Sequence, residues 1–239
     1  MTITIITANW NSDDKLSITW DSLRNQTNGD FLWIIKDNYS TDGSYELAAS
    51  LSELDSRISV VRSRDSGIYD ALNTLVQFCF TDFYLVLGAE DTLSPLSIHE
   101  FHRDLQRYPE CDLFFYGVSV GKKINLPMRH FGFLYGLRGC GSSHSVGSLI
   151  RRSLHDSHGM YKVELSLLAD QLFIKTCLYN GAKAMRSIFN AGAYALGGKS
   201  ELSPKEFRKQ FYYVQCKTER FLIIQKVLFI IRSIFRPHR

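Results

Sequence analysis

The chain has 239 residues, of which 45% are hydrophobic and 22% charged, a composition that excludes disordered, collagen-like and coiled-coil proteins. Its length predicts one large domain, or one domain with an appendage, that folds without disulfides or metal. Residues 205–239 contain nine Lys and Arg and two Glu, a net charge of +7, within a total of only +4. The remaining body is mildly acidic, which argues against a nucleic-acid-binding protein with a basic reading face.

The cysteines and the first residues predict a cytoplasmic protein. The five cysteines are an odd number without a Cys-x-x-Cys pair, a pattern typical of reduced thiols rather than disulfides or zinc. The first nine residues lack the basic segment of a signal peptide and predict a strand instead. No apolar run approaches the ~20 residues that span a bilayer, so any membrane contact is expected to be peripheral, on the inner face of the cytoplasmic membrane.

The first half of the chain alternates strand and helix patterns. β-Branched and apolar runs predict strands at 2–7, 31–36, 58–62 and 83–87. Helical spacing of apolar residues predicts helices at 13–26, 41–51, 68–80 and 95–108. This order predicts an α/β protein with a mainly parallel, Rossmann-like sheet and helices on both of its faces.

Polar side chains follow the predicted strands. Asn9, Asp37, Asp65 and Asp91 each lie just beyond a strand, at the edge where such sheets bind ligands. The three carboxylates would repel one another unless a cation lay among them. The alternative is that Asp and Asn are there because they favour turns and helix caps.

The pattern changes in the second half. Short strands are predicted at 113–120 and 122–126, followed by the glycine-rich stretch 131–141. So many glycines predict a flexible or tightly turned segment, suited to a lid or to a wall of an acceptor site. The alternative is an ordinary surface loop.

Three segments of the first half resemble glycosyltransferase family 2, whose members have the GT-A fold. They are Thr7-Ala-Asn9, Asp37-Asn-Tyr-Ser40-Thr-Asp-Gly43 and, most specific, Arg64-Asp65-Ser-Gly67-Ile-Tyr-Asp70-Ala-Leu-Asn73. The similarity is greatest to short bacterial members that build surface polysaccharides such as lipopolysaccharide O-antigen. It implies an inverting transfer of a sugar from a nucleotide-sugar donor to a saccharide acceptor.

The second half resembles the family more thinly, at 144–155, 169–173 and Gly197-Gly-Lys-Ser200. The resemblance implies a glycosyltransferase domain over 1–204. Within it, 1–111 would bind the nucleotide-sugar and 112–204 would face the acceptor. Residues 205–239 would form a separate basic amphipathic tail.

The resemblance also implies a donor site. Asp37 would accept a hydrogen bond from the base imide, with a UDP-sugar favoured as donor. Asp70 and Asn73 share a helix face, for which the alternatives are helix capping or solvation. The residues expected at the nucleotide-sugar are Thr7, Asn9, Asp37, Ser40, Arg64, Asp65, Gly67, Asp70, Asn73, Ala89, Glu90 and His144.

The family's metal ligand corresponds to Asp91 in Gly88-Ala89-Glu90-Asp91, and the implied cofactor is Mn²⁺ or Mg²⁺. Relatives have glycine in place of Glu90, which is therefore either an additional ligand or a turn residue. Ala89 stands where the family often has the first Asp of its Asp-x-Asp motif. The three tryptophans, at 10, 20 and 33, are expected in the core, the alternative being platforms on which a sugar stacks.

Asp170 corresponds to the family's general base, which would take the proton of the acceptor hydroxyl. The alternative is a carboxylate that stabilises the N-terminus of a helix.

The tail is broadly apolar with polar positions seven residues apart, at 225/226 and 232/233. This pattern predicts a helix lying in an anionic membrane interface through burial and Lys/Arg attraction, and hence a lipid-linked acceptor. The alternative is a helix packed on the domain or against another subunit.

Two other functions stay open. A nucleotidyltransferase would need a basic glycine-rich loop after the first strand, and residues 8–11 contain neither glycine nor lysine. A degenerate, membrane-docked nucleotide-sugar-binding protein is suggested by Ala89 and Glu90, which replace the usual metal motif.

Overall fold

The computed structural model describes residues 2–12, 14–195 and 203–235. Its strands are β1 (Ile3–Asn9), β2 (Phe31–Asp37), β3 (Ile58–Arg62), β4 (Phe83–Val86), β5 (Thr92–Leu93), β6 (Leu113–Val120), β7 (Lys123–Asn125), β8 (Ser148–Arg151) and β9 (Ala184–Ala193). Its helices are α1 (Lys15–Arg24), α2 (Ser44–Leu54), α3 (Ile68–Gln77), α4 (Ser97–Arg107), α5 (Gly132–Tyr135), α6 (Leu154–His158), α7 (Ala169–Tyr179), α8 (Pro204–Thr218) and α9 (Leu222–Phe235).

One sheet joins both halves of the chain, in the order β3-β2-β1-β4-β8-β6-β9-β5, with β7 paired to β6. The first four strands are parallel, whereas β8 is antiparallel to both β4 and β6. The prediction of an α/β fold with a mainly parallel sheet is confirmed. The predicted strands and helices of the first half are present with ends shifted by a few residues, and β1 and β2 run on to include Asn9 and Asp37.

Apolar side chains cover both faces of the sheet. On one face, Leu16 of α1 and Phe101 of α4 pack with Trp33 of β2. On the other face, Leu72 of α3 and Phe173 of α7 lie in the same buried cluster. Because both faces are covered, the carboxyl edge of the parallel strands is the part of the sheet left open to a ligand.

The glycine-rich stretch is tightly turned. It forms α5 and a 3₁₀ turn at Gly136–Gly139. A Cβ atom at Gly139 would lie 2.1 Å from the carbonyl oxygen of Phe131, so only glycine fits this close backbone approach.

The two C-terminal helices are folded onto the domain. α8 packs against α7, and α9 packs against α8. Gln225 of α9 is buried and donates to the carbonyl of Phe133, and Arg232 donates to the carbonyl of Leu134. Gln225 and Arg232 of the predicted polar stripe therefore face the protein, whereas Lys226 and Ser233 are exposed.

The outward surface of α9 is apolar. Its exposed apolar residues include Ile223, Ile224, Val227, Ile230 and Ile231, which recur at helical spacing. Within the described ranges, none of the helices combines the length and the apolar character that a membrane span requires.

Candidate active site

A cavity of about 1040 Å³ lies at the carboxyl ends of β1 to β3. Its lining includes Asn9 at the end of β1, Asp65 beyond β3 and Gly67 at the start of α3. His144 and Asp170 line it from the second half of the chain. The fold thus brings five of the sequence-predicted site residues together around one cavity.

Asn9 is fixed by a buried polar network behind the cavity. Its amide donates 2.8 Å to Oδ1 of Asp37, and its Oδ1 accepts from the hydroxyl of Ser12. The other carboxylate oxygen of Asp37 accepts 3.0 Å from the backbone N–H of Ser40 and lies 3.6 Å from Arg62. Asp37 is fully buried and does not line the cavity, so its immediate effect is to orient Asn9.

Asp65 also has partners within the protein. The buried ammonium of Lys36 lies 2.6 Å from its Oδ2, while its Oδ1 accepts 3.2 Å from the amide of Asn38 and 3.1 Å from the N–H of Gly67. Lys36 beside Asp65 and Arg62 beside Asp37 supply positive charge at this edge. The cation expected among these carboxylates is therefore supplied, for Asp37 and Asp65, by side chains of the protein itself.

Asp170 lies in the first turn of α7 and accepts a 2.7 Å hydrogen bond from the hydroxyl of Tyr69 on α3. Burial raises the pKa of this carboxyl, whereas the hydrogen bonds from Tyr69 and the Gln171 backbone, with the nearby His144, lower it. On balance the pKa of Asp170 is raised. A carboxylate with a raised pKa at a cavity wall is a stronger proton acceptor than an exposed one.

His144 lines the cavity, whereas Asp91, which interacts with it electrostatically, is not among the lining residues. The carboxylate of Asp91 is buried and accepts from the N–H groups of Gly88, at 3.0 Å, and Ala195, at 3.1 Å. Burial raises the pKa of Asp91, an effect that the charge of His144 opposes. Burial likewise lowers the pKa of His144, while Asp91 and Asp170 raise it. The histidine therefore couples the two carboxylates electrostatically.

The imidazole of His144 has a defined orientation. It stacks on the ring of Tyr194 with centroids 4.3 Å apart, and its Nδ1 accepts from the N–H of Val146 at 3.4 Å.

Asp91 can contribute to a divalent cation site, but not form one by itself. Among the residues that the structure describes, no three His, Cys, Asp or Glu side chains form a metal-binding group. Mg²⁺ is commonly held by one or two carboxylates together with waters and substrate phosphates. The one buried carboxylate fits a cation that also binds the donor's phosphates.

Glu90 is a turn residue and does not face the cavity. Its φ of 77° lies in the left-handed region, where glycine is unstrained. Its carboxylate forms a 2.9 Å ion pair with Lys15. A Cβ atom at Gly88 would lie 2.8 Å from Oδ2 of Asp91, so the glycine makes room for that carboxylate. Ala89 packs against the core and does not line the cavity.

Several other sequence-predicted residues point away from the cavity. Thr7 is buried, donates 2.7 Å to the carbonyl of Leu87 and accepts 2.9 Å from the indole N–H of Trp33. The hydroxyl of Ser40 accepts 2.9 Å from the N–H of Asn11. Both hold the strand ends in place rather than facing the cavity.

The predicted polar face of α3 is also occupied by protein contacts. The side-chain amide of Asn73 donates to the carbonyl of Tyr161, and its oxygen accepts from the N–H of Tyr161, both at 2.9 Å. Asp70 accepts from the N–H and the hydroxyl of Ser66. Arg64 is exposed, with its guanidinium 5.3 Å from the ring centroid of Tyr39. Gly197 to Ser200 lie outside the described residues.

Sequence reasoning missed part of the cavity wall. Trp10 is 60% exposed and lines the cavity, so its expected place in the core is wrong, whereas Trp33 is buried and stacks on Trp20. Trp10 directly follows Asn9, which ends a strand, and this position could have indicated that the indole lies at the cavity. Tyr69, inside the motif at 64–73, was also missed, as were Arg138, Arg208 and Arg232 from segments far away in the sequence.

Comparisons with known proteins identify the family of the chain. A family model described as "Glycosyl transferase family 2" matches residues 4–159. A "PGL/p-HBAD biosynthesis glycosyltransferase" of Mycobacterium tuberculosis is 28% identical over 198 residues, which are 80% of this chain and 76% of that protein.

Two solved structures share the fold. Staphylococcus aureus TarS 1–349 in complex with UDP-GlcNAc has a TM-score of 0.71 and 13% identity, covering 98% of this chain and 73% of that one. Mannosyltransferase PcManGT from Pyrobaculum calidifontis, in complex with GDP-Man and Mn²⁺, has a TM-score of 0.69 and 13% identity, covering 97% and 68%. Since the family model spans more than half of the chain, the protein belongs to glycosyl transferase family 2 and is a glycosyltransferase.

Proposed function

We propose that this chain transfers a sugar, with inversion at the anomeric carbon, from a nucleotide-sugar to a saccharide acceptor. The observation that carries the proposal is the cavity whose wall combines Asn9 and Asp65 with the hydrogen-bonded Tyr69–Asp170 pair. The complexes of TarS with UDP-GlcNAc and of PcManGT with GDP-Man support a nucleotide-sugar donor. A UDP-sugar is the donor that we favour.

The donor half of the cavity would hold the nucleoside. Asn9, Trp10 and Asp65 line it, and the exposed indole of Trp10 offers an apolar face to a base or sugar ring. Asp37 would act through Asn9, because its two oxygens already accept from Asn9 and Ser40.

Asp170 would act as the general base. Its carboxylate takes the proton of the acceptor hydroxyl while that oxygen forms a bond to the anomeric carbon. The bond from the anomeric carbon to the diphosphate breaks, and its electron pair leaves with the nucleoside diphosphate. The hydrogen bond from Tyr69 fixes the orientation of the carboxylate during this displacement.

Asp91 would hold Mn²⁺ or Mg²⁺ together with the donor's phosphates. When bound, such an ion supplies positive charge that stabilises the leaving diphosphate. Gly88 leaves space for the carboxylate, and the Ala195 N–H holds its Oδ1 in place. His144, which is coupled to both Asp91 and Asp170, would add positive charge between them when protonated.

The acceptor would be a lipid-linked saccharide of a bacterial cell-surface polysaccharide, reached at a membrane surface. The outward face of α9 is apolar, and the exposed Arg220 and Lys226 lie beside it. Burial of the apolar face together with attraction of the cations to anionic lipid would dock the helix.

Vesicle sedimentation tests the membrane contact. We expect wild type to pellet with vesicles that contain anionic lipid, and a variant with Ile223→Ser and Val227→Ser to remain largely in the supernatant. Both side chains are exposed, so the variant should keep its fold. Equal pelleting of the two proteins would exclude this face of α9 as the docking surface.

A donor turnover assay tests the proposed reaction. UDP release from a panel of UDP-sugars should require Mn²⁺ or Mg²⁺ and stop when a chelator is added. Donor binding without turnover, for every donor and acceptor tried, would favour the degenerate nucleotide-sugar-binding protein. Release of pyrophosphate from a nucleoside triphosphate would favour the nucleotidyltransferase.

A further inference from the structure

Tyr161 packs against both of the helices whose side chains form the Tyr69–Asp170 hydrogen bond. It belongs to the segment that joins α6 to α7, is 3% exposed and lines the cavity. Its ring centroid is 5.8 Å from that of Tyr69 on α3 and 5.2 Å from that of Phe173 on α7. These distances are those of packed aromatic pairs, so one ring is in contact with both helices.

The contacts of Tyr161 lie within one helical turn of the bonded pair. Phe173 is three residues after Asp170 on α7, so the two share a helix face. Asn73 is four residues after Tyr69 on α3 and shares a face with it in the same way. The side chain of Asn73 bonds both the carbonyl and the N–H of Tyr161, at 2.9 Å each. Tyr161 is therefore attached to α3 through its backbone and packed on both helices through its ring.

The sheet fixes the other end of the Tyr161 side chain. Its hydroxyl forms a 2.5 Å hydrogen bond with the hydroxyl of Tyr84 on β4, and that hydroxyl also bonds Nε2 of His155 at 2.7 Å. All three side chains are buried. Because the protein interior is close-packed, a ring that is held on several sides determines the position of the groups that pack on it.

We propose that Tyr161 is a positioning residue for sugar transfer: its ring sets the distance between α3 and α7, and so keeps the hydroxyl of Tyr69 within hydrogen-bonding reach of Asp170. The inference rests on the proposed function, because it takes Asp170 as the base. It deepens that function by naming the side chains that hold the base in its working geometry, among which Asn73 fixes the backbone of Tyr161.

The acidic limb of the pH profile reports this arrangement, because the transfer rate rises there as the base loses its proton. The groups that act on the carboxylate of Asp170 include Tyr69 on α3, His144 ahead of the 3₁₀ turn at 145–147, and Tyr161 itself. The hydrogen bond from Tyr69 lowers the pKa of Asp170. A variant that weakens this bond should therefore move the acidic limb to higher pH, which a loss of stability alone would not do.

Tyr161→Leu removes the ring and should move the acidic limb upward by about one pH unit, the effect of losing a hydrogen bond to a charged group. UDP affinity should change little, because the hydrogen bonds that hold Asn9 and Asp65 are untouched. Tyr161→Phe keeps the ring and should retain the wild-type limb, although its bond to Tyr84 is lost. A shift in Tyr161→Phe as large as that in Tyr161→Leu would contradict the role of the ring.

A milder variant and a matched control allow for a folding defect. Asn73→Ala keeps every ring and favours the helix, so α3 should stay formed while the limb shifts in the same direction by a smaller amount. Tyr116→Leu is the control, since Tyr116 is a buried ring of β6 that does not line the cavity. It should lose stability but keep the wild-type limb. An equal shift in this control, or no shift in Asn73→Ala and Tyr161→Leu, would overturn the inference.

Combination with Tyr69→Phe tests whether Tyr161 acts through Tyr69. In that background the hydroxyl is already absent, so Tyr161→Leu should add little to the shift of the limb. Equal shifts in the two backgrounds would contradict the proposed positioning role.

The same profiles distinguish this inference from the proposed function. Absence of transfer by wild type, or an undiminished rate in Asp170→Asn, would contradict the proposed function. If wild type transfers sugar and Asp170→Asn does not, an acidic limb that ignores the changes at Tyr161 and Asn73 would contradict the positioning role alone.

Discussion

The hydroxyl of Tyr69 donates a 2.7 Å hydrogen bond to Asp170, a residue 101 positions further along the chain. This bond joins the helix after the third strand to the first turn of α7, and so connects the donor half of the cavity to the proposed base. Burial raises the pKa of both groups, and the hydrogen bond lowers that of the carboxyl. The pair therefore sets both the position and the proton affinity of the base.

Asp170→Asn should reduce sugar transfer by roughly 10²- to 10⁴-fold, the range that general-base catalysis contributes. Nucleotide affinity, measured by calorimetry, should change little. Because the native pKa of Asp170 is raised, the ionised carboxylate destabilises the fold above that pKa, and the amide removes this cost. The variant should therefore be more stable than wild type at neutral pH, with the difference shrinking as the pH falls. Transfer at the wild-type rate would remove Asp170 as the base.

Tyr69→Phe should shift the acidic limb of the rate profile to higher pH. The hydroxyl lowers the pKa of Asp170, so its removal raises that pKa and delays formation of the carboxylate. At high pH the rate should recover to within about tenfold of wild type, since a single hydrogen bond to a charged group is lost. An unshifted profile would show that the titrating base is another group.

Glu90→Gly should be more stable than Glu90→Ala by about 1 kcal/mol, measured by urea unfolding. Both variants lose the exposed ion pair with Lys15, but only glycine relieves the left-handed backbone at φ 77°. Both should keep transfer activity, because the side chain does not face the cavity. Loss of metal-dependent activity in both variants would instead indicate that Glu90 is a ligand.

The free energy of unfolding should fall as the pH drops from about 6.5 to 4, because His155 resists protonation in the folded protein. This buried ring interacts with the hydroxyl of Tyr84 at 2.7 Å and the carbonyl of Gly159 at 3.1 Å, and burial lowers its pKa to about 4. The unfolded chain takes up a proton in this range before the native protein does. Uptake of one proton by the unfolded chain over two to three pH units lowers the free energy of unfolding by about 3 kcal/mol.

His155→Gln should remove this part of the pH dependence of the free energy of unfolding. His99→Gln, at an exposed position on α4, is the control and should retain it. Equal slopes in wild type and the His155 variant would contradict the assignment.

Trp10 should report donor binding by fluorescence. It is the exposed tryptophan at the cavity, whereas Trp20 and Trp33 stack at 6.1 Å in the packed interior. Addition of a UDP-sugar with Mn²⁺ should change the emission of wild type but not of Trp10→Phe. A full response in the variant would place the donor away from Trp10.

The first half of the fold is predictable because each of its strands and helices is specified by residues that are close together in the sequence. Each strand is a short apolar run that ends at a polar residue, so Asn9 and Asp65 could be placed at one edge from sequence alone. Thr7 shows the limit of that reasoning. Its place at the same strand end does not reveal that its hydroxyl is taken up by Trp33 and Leu87.

The second half was less predictable because its cavity wall is assembled from distant segments. Arg138 and Arg232 are 94 positions apart and carry no shared motif. The orientation of α9 could not be predicted from the sequence either, since apolar residues occur around most of the helix. The carbonyl acceptors of Phe133 and Leu134 decide which face turns inward, and no sequence pattern identifies them.

Donor turnover by matched variants tests the central claim most directly. UDP release from a UDP-sugar, with Mn²⁺ and acceptor, should be measured for wild type, Asp170→Asn and Asp91→Asn. We expect wild type to turn over, Asp170→Asn to bind UDP normally without transfer, and Asp91→Asn to lose the dependence on Mn²⁺ together with most of its activity. Undiminished, metal-dependent turnover in both variants would contradict the account.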